Sequence, residues 1–210
     1  DNWKELNDHP SKPMVNRALN GAYPPGSTFK PFMALGALES GKRSASQVIH
    51  DPGFYNFGNH TFRDDKKGGH GAVDMYKSIV QSCDTYYYML ANDMGIDNIA
   101  RFMGSIGLGQ RTGIDLGKGE SGESKGVLPS QEWKRQRFKK PEQQKWYAGE
   151  TISIGIGQGY NAYTPIQLAQ AVATLANDGV MFRPHVVHHI MDTKTGEKRD
   201  VEPEPIRRLN

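Results

Sequence analysis

The sequence predicts a mixed helix-and-strand fold (α/β, more closely α+β). Apolar residues recur at helical spacing behind capping residues, whereas residues 151–156 and 181–191 alternate as strands do. The 210 residues suffice for one sizeable core, so we expect one domain, or one domain with an attached lobe. The Gly- and Ser-rich residues 117–126 predict a flexible loop.

Composition narrows the class of function. Hydrophobic residues make up 36% and charged residues 23% of the chain, as in ordinary soluble globular proteins. A net charge of +3 is too small to predict a nucleic-acid partner, so we expect none. No apolar run approaches the roughly 18 residues that span a bilayer, and no signal peptide is recognisable. The single cysteine, Cys83, excludes an internal disulfide.

Residues 23–32 predict the start of a buried helix that carries a nucleophile. Pro31 fits only the first turn of a helix, and Gly41 marks its end. Ser27 and Lys30 are three residues apart, so they share one face of that turn. A neutral lysine can deprotonate such a serine, and backbone N–H groups there can stabilise an oxyanion. In the alternative interpretation Ser27 only caps the helix and Lys30 is solvated.

A break between two predicted helices carries a second set of polar side chains. Asp74 is expected to cap a helix that ends near Ser82, and Asp84 to cap the next one. Side chains in such a break can point away from both helices, so Ser82 is a second site candidate; the alternative makes it a turn residue. Three consecutive tyrosines of the second helix are predicted to lie in the core: Tyr86, Tyr87 and Tyr88.

The long irregular segment of residues 42–73 suggests a metal staple, because loops of this length need a stabilising cause. Carboxylates, an imidazole and a thiol together suit tetrahedral zinc. The candidate ligands are Asp51, Asp64, His70 and Cys83, with His50, His60 and Asp65 as alternatives. Their spacing is wider than that of tight cysteine pairs, so a solvated loop with a buried free thiol is the competing interpretation.

Two features of the C-terminal half are predicted to be structural. Three glycines allow close backbone approach, but their spacing fits no nucleotide-binding loop: Gly155, Gly157 and Gly159. Thr164 begins a capping box for a helix. The buried stripe of this helix is expected to comprise Leu168, Ala169, Val172, Leu175 and Ala176.

A run of cations lies beside Trp133 and Phe138. It comprises Lys134, Arg135, Arg137, Lys139 and Lys140. Such a run is usually a solvated face. The alternative is contact with an acidic polymer or a membrane surface, which would make the protein a polyanion binder.

Three short motifs resemble the S-x-x-K, S-x-N and K-T-G motifs of the penicillin-binding proteins and serine β-lactamases: Ser27-Thr28-Phe29-Lys30, Ser82-Cys83-Asp84 and Lys194-Thr195-Gly196. The surrounding residues are more specific. From about residue 14 to about residue 190 they resemble the penicillin-binding protein 2 family, the class B D,D-transpeptidases of bacterial cell elongation. The resemblance rests on residues 22–31, 63–64, 69–71, 82–85, 94–97, 112–116 and 155–160.

This resemblance implies a fold, a reaction and a place of action. The fold would be an antiparallel sheet packed by helices plus an all-helical lobe. Residues 27–130 would form mainly the lobe, and residues 150–191 a strand, a helix and a strand. The reaction would be serine acyl transfer on peptidoglycan stem peptides ending in D-Ala-D-Ala, which β-lactams mimic. The protein would act at the periplasmic face of the bacterial inner membrane beside the elongation-machinery glycosyltransferase, without an organic cofactor.

The resemblance also implies a role for each catalytic candidate. Ser27 would be the acylated nucleophile, Lys30 its general base and Ser82 the proton relay to the leaving amine. Asp84 stands where the S-x-N motif has Asn, as it does in this branch of the family. A carboxylate cannot donate a hydrogen bond as an amide can, so Asp84 would orient the loop rather than contact the peptide.

The same resemblance strengthens the zinc hypothesis. Some members of this branch bind zinc near the active site through two Asp, one His and one Cys. Asp51, Asp64, His70 and Cys83 match those positions one by one. Zinc bound there would tie the second motif to the long loop.

The third motif is expected to lie outside this chain. Lys194-Thr195-Gly196 falls in a predicted hairpin turn, whereas the family's third motif lies on a core strand. We therefore expect residues 1–210 to be an incomplete transpeptidase domain that lacks the K-[ST]-G strand and the usual anchor. Two rival functions share some of these features: a β-lactamase or β-lactam sensor, and a non-catalytic interaction module stapled by zinc.

Overall fold

The structure, a computed structural model, describes residues 2–116 and 122–209. It divides into two compact units. One comprises Asp1–Tyr23, Ser105–Gly126 and Tyr163–Asn210, and the other Pro24–Gly104 and Val127–Ala162. Residues 117–121 of the predicted flexible loop lie outside the described residues. Among the described helices, none combines the length and the apolar character that a membrane span requires.

The fold is α+β, as predicted. Its helices are a short 3-10 helix (Gly26–Phe29), α1 (Trp3–Asp8), α2 (Arg17–Asn20), α3 (Lys30–Glu39), α4 (Met75–Val80), α5 (Asp84–Ser105), α6 (Gln131–Arg137), α7 (Pro141–Gln144), α8 (Ala148–Ile154) and α9 (Pro165–Ala176). Its strands are β1 (Ile49–Asp51), β2 (Phe54–Phe57), β3 (His60–Arg63), β4 (Gly71–Val73), β5 (Val180–Phe182), β6 (His189–Met191), β7 (Lys198–Asp200) and β8 (Pro205–Arg208). They pair in four antiparallel two-stranded sheets: β1–β4, β2–β3, β5–β8 and β6–β7.

The core of the second unit is built around α3 and α5. The three consecutive tyrosines are buried, as predicted, and so are Leu90 and Phe29. Gly95, with φ +72°, breaks α5 into two helical halves. Gly36 of α3 lies so close to Phe102 that a Cβ at this position would stand 2.8 Å from the ring. The α3 helix therefore packs tightly against the second half of α5, which fixes the segment that carries Ser27.

The predicted strand at residues 151–156 is wrong. Most of this segment belongs to α8, at whose start the Glu150 carboxylate accepts from the Tyr147 N–H group (2.8 Å). The alternating pattern was short, and the cap together with tertiary packing outweighs its strand preference. Gly155 follows the helix where a Cβ would stand 2.6 Å from the Tyr87 carbonyl oxygen, so the chain here approaches α5 closely.

The predicted single strand at residues 181–191 is also wrong. It consists of two short strands, β5 and β6, which pair with β8 and β7 respectively. Pro184 lies between them, where it donates no backbone hydrogen bond to a ladder. The predicted hairpin turn is confirmed: the Asp192 Oδ1 atom accepts hydrogen bonds from the N–H groups of Lys194 (2.7 Å) and Thr195 (3.1 Å).

The helix α9 has the predicted capping box at Thr164, but its predicted buried stripe is wrong. Val172 and Leu175 are 54% and 45% exposed. The buried face is mainly polar instead and comprises Gln167, Gln170, Ala171 and Thr174. It is tolerated because the two amides are satisfied: Gln167 Nε2 donates to the Gln110 carbonyl (2.6 Å) and Gln170 Nε2 to that of Phe182 (2.9 Å).

Candidate active site and metal cluster

Ser27 lies in the 3-10 helix that leads directly into α3. Pro31 is the second residue of α3, as its restricted φ predicts. The Gly26 N–H group donates to the Gly157 carbonyl (3.1 Å), which anchors the residue before the nucleophile. A Cβ at Gly157, whose φ is +72°, would stand 2.3 Å from the Gly26 carbonyl oxygen. The predicted close approach of this glycine therefore holds the serine in place.

Lys30 is a buried cation whose hydrogen bonds all reach the second motif. Its Nζ atom donates to the Ser82 carbonyl oxygen (2.6 Å), to Ser82 Oγ (2.9 Å) and to Asp84 Oδ1 (2.6 Å). The side chain of Lys30 is only 2% exposed. An ammonium group has three protons, so these three acceptors satisfy it completely.

The Ser82 hydroxyl bridges the lysine and the nucleophile. It donates to Ser27 Oγ over 2.8 Å while it accepts from Lys30. Ser82 has φ +55°, a left-handed conformation that is uncommon for residues other than glycine. This conformation turns the residue out of both flanking helices, as the sequence predicted, and it is kept by the contacts of Lys30.

Asp84 does not act as the predicted helix cap. Its carboxylate binds Lys30, although it is the first residue of α5. The Thr85 N–H group at the start of this helix donates instead to Asp64 Oδ2 (2.9 Å). Asp74 does cap α4, since its Oδ1 atom accepts from the Lys77 N–H group (2.8 Å).

This arrangement provides the parts of a serine acylation site. The nucleophile, the bridging hydroxyl and the lysine form one continuous chain of hydrogen bonds. A proton can leave Ser27 along that chain when Lys30 is neutral, because Lys30 can then accept from Ser82. The structure thus brings together all four predicted catalytic residues: Ser27, Lys30, Ser82 and Asp84.

The four candidate metal ligands also meet in one cluster. One ligand atom from each of Asp51, Asp64, His70 and Cys83 lies within 4.8 Å of the others. The His70 Nδ1 atom is 2.9 Å from Asp51 Oδ2 and 3.3 Å from Asp64 Oδ1. The Cys83 Sγ atom is 3.5 Å from a carboxylate oxygen of each aspartate. The alternatives His50, His60 and Asp65 are exposed and do not belong to this cluster.

The cluster carries negative charge in a buried place. Burial disfavours the ionised form of Asp51, but hydrogen bonds that include those from the N–H groups of Gly53 (2.7 Å) and His70 (2.8 Å) lower its pKa to about 2. Burial likewise opposes ionisation of Asp64, yet the N–H groups of Thr85 and Lys66 lower the pKa of Asp64. For Cys83, burial first and then the two carboxylates raise the pKa of the thiol. Two carboxylates beside a thiol are a donor set that suits a divalent cation.

Some residues that support the site were not predicted from the sequence. The prediction that residues 42–73 are irregular is wrong, because they contain the antiparallel pairs β1–β4 and β2–β3. Lys77 donates to the carbonyl groups of His70 (2.8 Å) and Ala72 (2.6 Å), which ties the end of this segment to α4. Lys134, predicted to lie on a solvated face, is instead buried, and its Nζ atom binds Glu150. The only available signal was a lysine among aromatic residues, which is equally common on exposed faces.

The chain is similar to one family of known proteins over nearly all of its length. Residues 2–210 match the family described as penicillin binding protein transpeptidase domain. The chain is 46% identical over 198 residues to the peptidoglycan D,D-transpeptidase MrdA of Acinetobacter baumannii, and 46% identical over 184 residues to that of Escherichia coli. These matches cover 93% and 87% of this chain but only 28% of each relative, so the chain spans just over a quarter of their length.

A solved structure shows the same similarity in three dimensions. The chain superposes on the crystal structure of Pseudomonas aeruginosa PBP2 in complex with WCK 5153 with a TM-score of 0.82 and 41% sequence identity. The match covers 99% of this chain and 45% of that one. Both the α+β class and the fold expected from the motifs are therefore confirmed.

Replacement of Gly157 tests how the nucleophile is positioned. We expect Gly157→Ala to destabilise the protein by about 2–4 kcal/mol, from a positive φ and an overpacked contact with Gly26. It should also slow phosphonylation of Ser27 by a fluorophosphonate. Gly58→Ala is the control, because Gly58 also has a positive φ but no atom within 4 Å of its Cβ position. Equal losses of stability and reactivity in the two variants would contradict this role.

Proposed function

This chain belongs to the penicillin-binding protein transpeptidase domain family, and from that premise we propose that it carries the acylating part of a peptidoglycan D,D-transpeptidase. The observation that carries the proposal is the continuous chain of hydrogen bonds from Ser27 through Ser82 to Lys30. The substrates would be stem peptides ending in D-Ala-D-Ala and an amine of a neighbouring strand.

In the first step Ser27 Oγ attacks the carbonyl carbon of the penultimate D-alanine. Its proton passes to Ser82, whose own proton passes to neutral Lys30, which keeps two N–H donors for the Ser82 carbonyl and Asp84. The Ser27 N–H group is the expected oxyanion donor from this chain. As the tetrahedral intermediate collapses, the terminal D-alanine leaves as an amine and takes the proton back through Ser82. The acceptor amine then attacks the ester and releases Ser27.

Asp84 would act by holding Lys30 in place. Its carboxylate is 2.6 Å from the Nζ atom and its side chain is 18% exposed. A buried cation without a paired charge is costly, so this contact keeps the lysine beside Ser82. The side-chain amide of an Asn at this position could donate a hydrogen bond to the substrate. The Asp84 carboxylate cannot donate, and it binds Lys30 instead.

A β-lactamase or β-lactam sensor is the main rival, because it shares the serine chemistry. The named relatives are transpeptidases, which favours the main proposal. A transpeptidase and a β-lactamase differ in the fate of the ester that a β-lactam forms with the serine. A transpeptidase keeps this adduct, whereas a β-lactamase hydrolyses it rapidly. By the same family relationship we propose that the whole protein works at the periplasmic face of the inner membrane, with a glycosyltransferase of the elongation machinery as partner.

Intact mass after incubation with a β-lactam tests the proposal. In the whole protein that carries this chain we expect a persistent adduct, which peptide mapping places on Ser27. Ser27→Ala should form none, and Lys30→Met should slow acylation by about 10²-fold or more, since the general base is lost. Ser11→Ala, at an exposed position, is the control. Rapid turnover of the drug would favour the β-lactamase, and no adduct on the wild-type protein would reject serine chemistry altogether.

The buried cluster fits the zinc expected from the resemblance, and we propose that it binds that ion. Support comes from the donor set: two buried carboxylates, an imidazole and a thiol with ligand atoms within 4.8 Å of one another. Bound zinc would supply positive charge that stabilises the carboxylates and the thiolate of Cys83. Asp51, Asp64, His70 and Cys83 would hold it, and its effect on the reaction would be to fix the loop that carries Ser82.

Removal of Cys83 tests this structural role. We expect purified Cys83→Ser protein to contain less zinc by elemental analysis, to melt at a lower temperature and to be acylated more slowly, because the second motif is no longer tied to the long loop. Ser78→Ala is a matched control: Ser78 is buried in the neighbouring helix but contributes no ligand atom. Unchanged zinc content, melting temperature and acylation rate in Cys83→Ser would reject the zinc proposal.

A further inference from the structure

The positive charge of the chain is concentrated in one short segment. Residues 131–147 contain six cationic and two acidic residues, a net charge of +4, whereas the whole chain carries +3. The rest of the chain therefore has no net positive charge. This segment contains α6 and α7 and ends just before α8, and it belongs to the same unit as Ser27.

Two of the six cations are already neutralised within the protein. Lys134 is 4% exposed, and its Nζ atom lies 2.5 Å from one carboxylate oxygen of Glu150. Arg135 pairs with Glu132 over 2.7 Å on the surface of α6. The remaining four form no ion pair among the described residues and are exposed; we call them the basic platform, and they are Arg137, Lys139, Lys140 and Lys145.

Hydrogen bonds and aromatic contacts join the elements that carry the basic platform. Lys134 Nζ donates to the Lys145 carbonyl oxygen (2.7 Å) as well as to Glu150, so one buried cation joins α6 to the start of α8. The ring of Tyr160 packs at a tilt against that of Trp133, with centroids 5.1 Å apart, and its hydroxyl donates to Glu150 (3.0 Å). Arg137 ends α6, Lys139 and Lys140 connect α6 to α7, and Lys145 follows α7, so the platform lies along elements that this network joins.

The positive charge of the basic platform indicates that its ligand is negatively charged. We infer that the basic platform is a docking surface for the carboxylates of peptidoglycan, which binds strands of the polymer while Ser27 acts on a stem peptide. The inference rests on the proposed function, because that function makes peptidoglycan the substrate. Stem peptides end in a carboxylate, and a polymer presents many of them in series. Four exposed cations within nine residues of the chain gain from such multiple contacts even though each one alone is weak.

The platform also lies close in the chain to the residues that hold the nucleophile. Tyr160, which packs against Trp133, is three residues beyond Gly157, the glycine that anchors Gly26. A strand bound at the platform is therefore held by the same unit that carries the reactive serine. Such docking would raise the local concentration of stem peptides without any part in the chemical steps.

Sedimentation with insoluble peptidoglycan tests the inference. The whole protein that carries this chain is mixed with purified sacculi at increasing salt concentration. The platform variant changes Arg137, Lys139, Lys140 and Lys145 to Gln, and the control variant changes the exposed Arg101, Lys4, Lys42 and Lys194 to Gln, which removes the same charge elsewhere. We expect the platform variant to bind sacculi roughly ten-fold more weakly at low salt, with the difference disappearing at high salt. The control variant should bind like the wild type.

Two further measurements test whether carboxylates are the ligand and whether the proposed function and the docking surface fail separately. Sacculi whose carboxylates have been amidated should bind the wild type as weakly as the platform variant binds untreated sacculi. Acylation of Ser27 by a soluble β-lactam should be the same in the wild type, the platform variant and the control variant. If the wild type formed no adduct, the proposed function would be rejected. If the platform variant bound sacculi as tightly as the wild type, only the docking surface would be rejected. Equal losses in both variants, or a platform effect seen only with vesicles of anionic phospholipid, would also overturn the inference.

Discussion

The buried ammonium group of Lys30 is the interaction on which the site depends. It comes from the first turn of α3 and reaches three acceptors in the second motif, two on Ser82 and one on Asp84. Removing one partner of a buried charge pair typically costs about 3–5 kcal/mol, so neither the lysine nor the aspartate can be lost cheaply. The same contacts keep Ser82 in a left-handed conformation and place its hydroxyl 2.8 Å from Ser27 Oγ.

The second motif is held from its other side by the acidic cluster. Cys83 lies between the two residues that contact Lys30, and its thiol points to Asp51 and Asp64. Asp64 directly follows β3 and accepts from the Thr85 N–H group, so it provides the cap that the helix α5 lacks locally. Ser82, Cys83 and Asp84 are thus bound in turn by Lys30, by the acidic cluster and by Lys30 again, so the break between α4 and α5 is held by contacts on both sides.

The residues that come together at the candidate site were predicted from the sequence more reliably than the secondary structure. The catalytic and metal-ligand candidates were found because motif residues and ligand types are local facts, and Pro31 and Asp74 fixed their helix starts. The segment at residues 151–156 was assigned wrongly because a short alternating run suits either element. The buried face of α9 and the buried Lys134 depend on distant carbonyls and on Glu150, which no local pattern encodes. The cap of the Thr85 N–H group likewise comes from a residue distant in the chain, Asp64.

Hydrogen–deuterium exchange of a Lys30→Met variant tests the central claim most directly. Methionine keeps much of the length of lysine but has no charge and no donor. We predict that amides of residues 81–85 exchange about ten-fold faster or more in this variant, while residues 86–94 of α5 stay protected. Exchange of residues 81–85 as slow as in the wild type would contradict this prediction, because it would show that Lys30 does not hold the second motif in place.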